Sequence, residues 1–557
     1  MRVCDYIASF IYRQGINHVF MVVGGGMMYL ADGLASQNDI KVVSTHHEQA
    51  AAMAAVAYAK YTGNLGVAYV TTGCGGTNAI TGVLNAWQDS TSCLFLSGQS
   101  NRNETIRNSN LALRQFGVQE ADIVGIVNTI TKYTVMVNDP DQIRYHLEKA
   151  VYLAKTGRKG PVWLDIPLDV QSAVIDEKNL FAFDPNELEY EYSNIPLKAE
   201  MLFVEQVLAG ATRPIVLAGQ GVRLSGGITS FKTFIEKFNI PYVASRLGID
   251  LLPSDHPLFI GRIGTKGDEA GNFAIQNADV ILSIGSRLSI SSTGFDYDAF
   301  GKYAKLIVVD IDPIEHKKNT VNISYFINSD ARVFLDEVLS YNIPIVSGEW
   351  VKLLSDYKKA CPVAFYGKDV EQGINTYTFV NKLSKELKND SVVISDAGSA
   401  FFVVGQGLQL KENQRWVTSG AQAEMGYTIP ATVGVSLAKH GEVIGITGDG
   451  SFQMNIQELQ TIVYHKLPVK LFVWNNNGYA SIRDTQDRFF NNHYIGTDMD
   501  CGVSFPDLSK IADAYGIRYF KIDKYSTMNN IIKRVLSLDE PVICEVICDK
   551  NQKLLRF

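Results

Sequence analysis

A chain of 557 residues, 46% hydrophobic and 20% charged, has the length of about three to four globular domains and an ordinary soluble composition. Its formal net charge of −7 argues against polyanionic partners, so neither nucleic acid nor an anionic membrane is expected. Seven dispersed cysteines without a C-x-x-C pair, no cleavable leader and no apolar run of spanning length lead to the expectation of a cytoplasmic protein with reduced thiols.

Strand-like and helical stretches alternate along nearly the whole chain, which predicts an α/β fold of mostly parallel sheets. The first strand run, 19–23, passes into Gly24-Gly25-Gly26, where the missing side chains leave room for a ligand. A second run, 42–45, precedes His46 and His47, and Glu48 then opens a helix so rich in alanine that it must pack closely. A glutamate between a buried strand and a buried helix is costly unless partnered, and desolvation drives it toward sharing a proton. Taken alone, Glu48 is equally a first-turn acid complementing the helix dipole. The two histidines cannot both line one pocket if the strand continues through them, and they are assigned structural roles.

The run 67–70 leads through Thr72-Gly73-Cys74-Gly75 into a predicted helix, 77–87, and a strand, 93–96. An acidic, proline-punctuated linker, 181–196, and a softer joint, 341–350, divide the chain. The three blocks, 1–180, 197–340 and 351–557, are each read as a doubly wound parallel-sheet domain. The middle block opens with a strand and a glycine turn, 214–221.

In the third block, Asp396-Ala397-Gly398-Ser399-Ala400 follows a strand run, 391–394. Residues 443–447 are β-branched, Gly448-Asp449-Gly450 reads as a turn, 453–465 has helical spacing and 469–474 is strand-like, followed by Asn475-Asn476-Asn477-Gly478. That is a βαβ unit, whose two loops open at the same sheet edge and bring Asp449 and Asn476 to one point. Each loop singly is what a turn selects. Together, two hard oxygen ligands beside glycines and a helix N-terminus form a clamp for Mg²⁺ and a diphosphate. The frame Thr447-Gly448-Asp449-Gly450 recurs as Thr72-Gly73-Cys74-Gly75, with Cys74 at the place of the aspartate. Either the fold is duplicated or a four-residue turn recurs by chance.

These motifs resemble the thiamine diphosphate-dependent enzymes, in their acetohydroxyacid (acetolactate) synthase-like branch. Stretches that carry the branch are Val118-Gln119-Glu120-Ala121-Asp122, Gly160-Pro161-Val162-Trp163-Leu164-Asp165-Ile166-Pro167 and Asp487-Arg488-Phe489. The resemblance implies that Asp449, Asn476 and the carbonyl of Gly478 hold Mg²⁺. It further implies that Glu48 meets the cofactor's aminopyrimidine, that Met425 is the apolar wedge beneath the bent cofactor, and that Gln119 orients the donor. Cofactor contacts would come from Gly24, Gly25, Gly26, Gly73, Gly398, Ser399, Ala400, Gly448, Gly450, Ser451, Asn476, Tyr479, Ala480 and Ile482, with the Ser451 hydroxyl donating to a phosphate. The branch's central domain implies FAD, through Arg158, Gly264, Thr265, Gly285, Arg287 and Asp310; many relatives instead have a cofactor-free spacer there.

Departures bear on the substrate. Thr485 stands where the branch has a tryptophan, and Val118 where it has a phenylalanine, so the acceptor pocket beside Arg483, Asp484 and Thr485 is larger and more polar. This favours carboligases of bacterial polysaccharide pathways, which transfer an acetyl unit from pyruvate to a nucleotide-linked keto-deoxysugar. Acetolactate synthesis from two pyruvates is the alternative, followed by a simple decarboxylase or oxidase. A non-catalytic paralogue is disfavoured because Glu48, Asp449 and Asn476 are all present. The family architecture implies a homodimer or homotetramer with sites between subunits.

Overall fold

A computed structural model describes residues 1–188, 195–363 and 373–556. Part of the expected 181–196 linker, 189–194, lies outside the described residues. The chain forms three parallel six-stranded sheets covered by helices, the α/β architecture expected from the alternating pattern.

The first sheet holds β1 (His18–Met21), β2 (Lys41–Ser44), β3 (Gly66–Val70), β4 (Cys93–Gln99), β5 (Tyr133–Met136) and β6 (Pro161–Pro167), in the order β2-β1-β3-β4-β6-β5. The second holds β7 (Pro214–Ala218), β8 (Tyr242–Ala244), β9 (Phe259–Arg262), β10 (Val280–Ile284), β11 (Lys305–Asp310) and β12 (Tyr325–Asn328), in the order β12-β11-β10-β7-β8-β9. The third holds β13 (Val392–Ser395), β14 (Arg415–Thr418), β15 (Val443–Gly448), β16 (Val469–Asn475), β17 (Arg518–Ile522) and β18 (Val542–Ile547), in the order β14-β13-β15-β16-β18-β17. Central strands such as β3 and β4 are buried at every residue, as sheets covered on both faces require. The first and third sheets share one strand order, in keeping with the recurring Thr-Gly-x-Gly frame. Read from its other edge, the central sheet has the order of dinucleotide-binding folds.

One helix fastens the first unit to the third. Glu48–Thr62 is buried along most of its length, including Ala50, Ala51, Ala52, Ala54, Ala55 and Ala57. It packs between the helices Cys74–Gln88 and Thr428–Lys439. Contact is at the level of the backbone: a Cβ on Gly434 would lie 2.1 Å from the carbonyl oxygen of Ala54, and one on Gly82 2.5 Å from the Ala52 methyl. The alanine content is therefore a packing requirement rather than a helix preference.

Several local expectations need correction. Gly448 is the last residue of β15, and Asp449 already begins a helix, Asp449–Gln453. The expected helix 453–465 is interrupted at Asn455, whose side-chain amide donates to the Gly426 carbonyl (2.9 Å) and to Gln49 Oε1 (3.0 Å); helix resumes at Leu459–Tyr464. Strand β2 ends at Ser44, so His46 and His47 do not alternate on a strand; His47 caps the next helix, its Nδ1 accepting the Gln49 amide at 3.0 Å. The joint at 341–350 runs into the helix Gly348–Ala360, capped by Ser347. Among the described residues no helix is long and apolar enough to cross a membrane.

Candidate functional site

In doubly wound sheets ligands gather beyond the carboxyl ends of the strands, where the strand order reverses. In the third sheet that point lies between β13 and β15, and the loops after β13, β15 and β16 meet there. Asp449, 3% exposed, accepts the Gly450 amide on Oδ1 (2.8 Å) and the Gly478 amide on Oδ2 (3.0 Å). Burial pushes its carboxyl up to about 6 against the pull of those amides and of Arg483. Asn476, 6% exposed, keeps a buried Oδ1 with no hydrogen-bond partner among the described residues. A desolvated carboxylate and an unmatched amide oxygen joined through one loop suit a hard divalent cation. The Gly478 carbonyl accepts the Ala480 amide at 3.1 Å and retains a second lone pair. Gly478 has φ +138, and a Cβ there would lie 2.0 Å from the Thr497 carbonyl oxygen.

Asp396, fully buried, ties these loops together. Its carboxylate takes the Ser451 hydroxyl (2.5 Å), the Thr447 hydroxyl (3.1 Å) and the amides of Ala397 (2.7 Å) and Thr428 (3.3 Å). Ser451 in turn accepts the Gly426 amide at 2.8 Å. The hydroxyl proton expected to reach a phosphate is thus committed to Asp396. Gly398, at φ +55, opens the helix Gly398–Gly407 with Ser399 and Ala400 in its first turn, and a Cβ on it would be 3.2 Å from the Ser481 hydroxyl. Tyr479 covers Gly450 so closely that a Cβ there would lie 2.1 Å from its ring.

Met425 is half-buried in the segment that joins β14 to the next helix. The first unit braces that segment: Asp89 accepts the amides of Gly420 (2.7 Å) and Ala421 (2.9 Å) and pairs with Lys60 (2.7 Å), while Asn85 donates to Glu424 (2.5 Å).

The equivalent point of the first sheet lies between β1 and β3. Gly24, Gly25 and Gly26 follow β1, and Gly73, at φ +63, follows β3. Gln119, itself at φ +58, rests its carbonyl on Gly73, where a Cβ would fall 1.9 Å from that oxygen. Glu48, 9% exposed, is the first residue of its helix, and its Oε2 accepts the Asn78 amide at 2.9 Å. Behind this edge Asp165, 1% exposed, takes the Ser97 hydroxyl (2.5 Å) and the Gln99 amide (3.0 Å). Gln99 then holds the Thr72 hydroxyl (2.7 Å) and the Ala121 carbonyl (3.0 Å), fixing both loops beside Gly73 and Gln119. Burial raises the Asp165 carboxyl to about 7. The structure thus gathers Glu48, Gly73 and Gln119 at one edge and Asp449, Asn476, Gly478, Gly398 and Ser451 at another.

Three positioning groups escaped the sequence reading. Asp396 and Asp165 each stand at or near the carboxyl end of a strand, which was a usable signal. Asn78, one turn into its helix, gave none.

The helix Ala480–Phe489 flanks the clamp. Arg483, placed beside the acceptor pocket by the sequence, spans the clamp loop instead, donating to the carbonyls of Asn476 (2.8 Å) and Asn477 (3.2 Å). Asp484, buried, pairs with Arg556 (2.9 Å) and Arg488 (3.2 Å). Thr485 is half-buried with its hydroxyl on the Ser481 carbonyl (3.1 Å), and Ile482 is 49% exposed.

At the order reversal of the central sheet, between β7 and β10, lies a cavity of about 1070 Å³ lined by Gly221, Gly285, Arg287, Asp310 and Arg158. Arg158 is paired there with Asp312 (2.7 Å) and Glu315 (2.8 Å). Gly264 and Thr265 lie one layer behind, the Thr265 amide donating to the carbonyl of Ser291, which lines the cavity.

Comparison with known proteins finds three family models matched along the chain. Residues 1–125 match the N-terminal TPP binding domain of thiamine pyrophosphate enzymes, 203–338 their central domain and 396–546 their C-terminal TPP binding domain. The chain is 31% identical over 548 residues to the acetolactate synthase large subunit of Lactococcus lactis, covering 97% of this chain and 91% of that one. It is 32% identical over 558 residues to the acetolactate synthase of Arthrospira platensis (97% and 93% covered). To the probable acetolactate synthase large subunit of Methanocaldococcus jannaschii it is 30% identical over 567 residues (100% and 93% covered).

Proposed function

The chain belongs to the thiamine pyrophosphate enzymes, in their acetolactate synthase-like branch, and on that premise we propose that it decarboxylates pyruvate and joins the acetyl unit to the carbonyl of a second pyruvate. The observation that carries the reading is the unmatched Asn476 oxygen beside buried Asp449, in a chain that runs nearly end to end along proteins named acetolactate synthase. When bound, thiamine diphosphate supplies a carbon nucleophile and an electron sink.

The residues divide the remaining work. Asp449, Asn476 Oδ1 and the Gly478 carbonyl would hold the Mg²⁺ that accompanies a diphosphate. Glu48, 9% exposed and steadied by Asn78, would place its carboxylate against the aminopyrimidine. Met425, on a segment braced by Asp89 and Asn85, would support the cofactor, and Gln119, resting on Gly73, would face the donor. Glu48 takes its hydrogen bond from Asn78 within the first unit, while the hydrogen bonds of Asp449 stay within the third, which supports sites assembled between two copies. A sedimentation measurement giving a monomer would refute that arrangement.

A second reading, transfer to a nucleotide-linked keto-deoxysugar, is favoured by half-buried Thr485 at the acceptor side, where a tryptophan would fill the space. The names of the relatives favour pyruvate as acceptor. The deciding experiment supplies pyruvate alone to protein reconstituted with thiamine diphosphate and Mg²⁺. Acetolactate formation supports the first reading; CO₂ release without acetolactate excludes it. For FAD the support is the large cavity at the switch point of a dinucleotide-type sheet, and a flavin absorption band in the purified protein is the test.

A further inference from the structure

The helix begun at Asp449 stops short of Asn455, whose backbone (φ −137, ψ 35) leaves the helical range, and α-helix is regained only from Leu459. At 1% exposure the break gives nothing to solvent. An asparagine amide can draw the chain out of a helix when it finds better partners, and here both of its hydrogens are spent. Asn455 Nδ2 donates to the Gly426 carbonyl (2.9 Å) and to Gln49 Oε1 (3.0 Å), while Oδ1 accepts the Gln457 amide at 3.1 Å.

The two acceptors lie in different units, and each adjoins a residue of the site. Gly426 follows Met425, and Gln49 follows Glu48. Gly426 is gripped twice, its amide by the Ser451 hydroxyl (2.8 Å) and its carbonyl by Asn455. Ser451 thus holds the peptide that joins Met425 to Gly426, and Asn455 holds the next one. At φ +83 the glycine has little room to shift, since a Cβ would lie 2.8 Å from Met454 Cβ and 2.9 Å from Asn455 Nδ2. On the other side Gln49 Nε2 donates to the Thr81 hydroxyl (3.3 Å), and Glu458, 0% exposed, takes the His46 amide at 2.9 Å. The short stretch 455–458 therefore reaches residues on both sides of Glu48.

We infer that Asn455 is a positioning residue for the reaction: its one amide holds the turn that carries Met425 in fixed relation to the first turn of the Glu48 helix. A misplacement of about 1 Å at a remote support can cost about a hundredfold in rate. The inference rests on the thiamine diphosphate reading of Met425 and Glu48 above. With sites assembled between two copies, the two arms of this amide end in different sites, so one substitution reaches both.

Asn455→Ala removes both arms, and Gln49→Met removes only the one toward Glu48. In protein without cofactor, backbone amide exchange in the peptide 419–430 is expected to quicken about tenfold in Asn455→Ala and by less than about twofold in Gln49→Met. Loaded with thiamine diphosphate and Mg²⁺, Asn455→Ala is expected to exchange the cofactor's C2 proton about tenfold more slowly than the wild type, and Gln49→Met about threefold more slowly. In CO₂ release from pyruvate, Asn455→Ala is expected to lose about tenfold in kcat with KM within about threefold of the wild type. Wild-type C2 exchange in either variant overturns the role. So does a loss confined to the thermal midpoint, which would make Asn455 a tie between units and no more. Should Asn455→Ala fail to fold, C2 exchange in Gln49→Met decides alone. Absence of CO₂ release by the wild type would refute the carboligase reading, and C2 and amide exchange would still decide the part played by Asn455.

Discussion

Asp396 and Ser451 share a hydrogen bond of 2.5 Å, and the Gly426 amide donates to the same hydroxyl at 2.8 Å. One buried carboxylate therefore sets the distance between the Gly398 loop, the Asp449 helix and the segment carrying Met425. Replacing Asp396 with alanine leaves the Ser451 and Thr447 hydroxyls without their acceptor, at a cost of about 3 kcal/mol in stability. A lower unfolding midpoint together with weaker thiamine diphosphate binding is expected. Wild-type cofactor affinity in this variant would show that the loops do not depend on Asp396.

Glu48→Gln keeps an oxygen for the Asn78 amide and replaces the carboxylate. CO₂ release from pyruvate is expected to fall by about a hundredfold or more, with the thermal midpoint nearly unchanged. A large loss of stability alongside the loss of rate would make Glu48 a structural residue.

Asn476 separates metal binding from folding. Because its Oδ1 has no partner among the described residues, Asn476→Ala should cost less than about 1 kcal/mol without ligands. The rise in unfolding temperature produced by Mg²⁺ with thiamine diphosphate should disappear, since that rise reflects binding to the native state alone. Differential scanning fluorimetry with and without EDTA reads both effects.

Asp165 makes stability depend on pH. Its carboxyl is raised to about 7 in the folded protein by burial, so the native state keeps a proton that the unfolded chain releases near pH 4. Stability from this group is complete below about pH 4 and is lost as pH rises to about 7, by at most about 4 kcal/mol. Urea unfolding at pH 5 and pH 8 should show a smaller difference for Asp165→Asn than for the wild type. Equal differences would mean that Asp165 is ionised throughout.

Gly434→Ala tests the alanine helix as a fastener. The added methyl would meet the Ala54 carbonyl oxygen at 2.1 Å, and overpacking of this kind costs about 1–3 kcal/mol. A midpoint equal to that of the wild type would show that the two helices can move apart without penalty.

What could be read in the sequence was local. Strong β-branched runs marked β15 and β16, the alanine run marked the Glu48 helix, and the turn chemistry around Asp449 and Asn476 placed both at one sheet edge. What escaped depended on partners far along the chain. Asn455 breaks its helix to reach Gly426 and Gln49, and Asp396 finds Ser451 55 positions away. Arg483 and Asp484 looked like free polar groups beside a pocket. The clamp carbonyls of Asn476 and Asn477, and Arg556 at the far end of the chain, engage them.

The helix Ala480–Phe489 buries two of its ten residues, Asp484 and Gln486, whereas Glu48–Thr62 buries eleven of fifteen. Substitutions on lightly buried surfaces usually change stability by no more than about 0.5 kcal/mol. Mutation can therefore wander across this flank of the clamp while the Glu48 helix stays fixed by its own packing. On the carboligase reading, new partners for the joining step are open to evolution, or to a directed library at the exposed positions Ile482, Phe489 and Phe490, without the scaffold having to be reinvented.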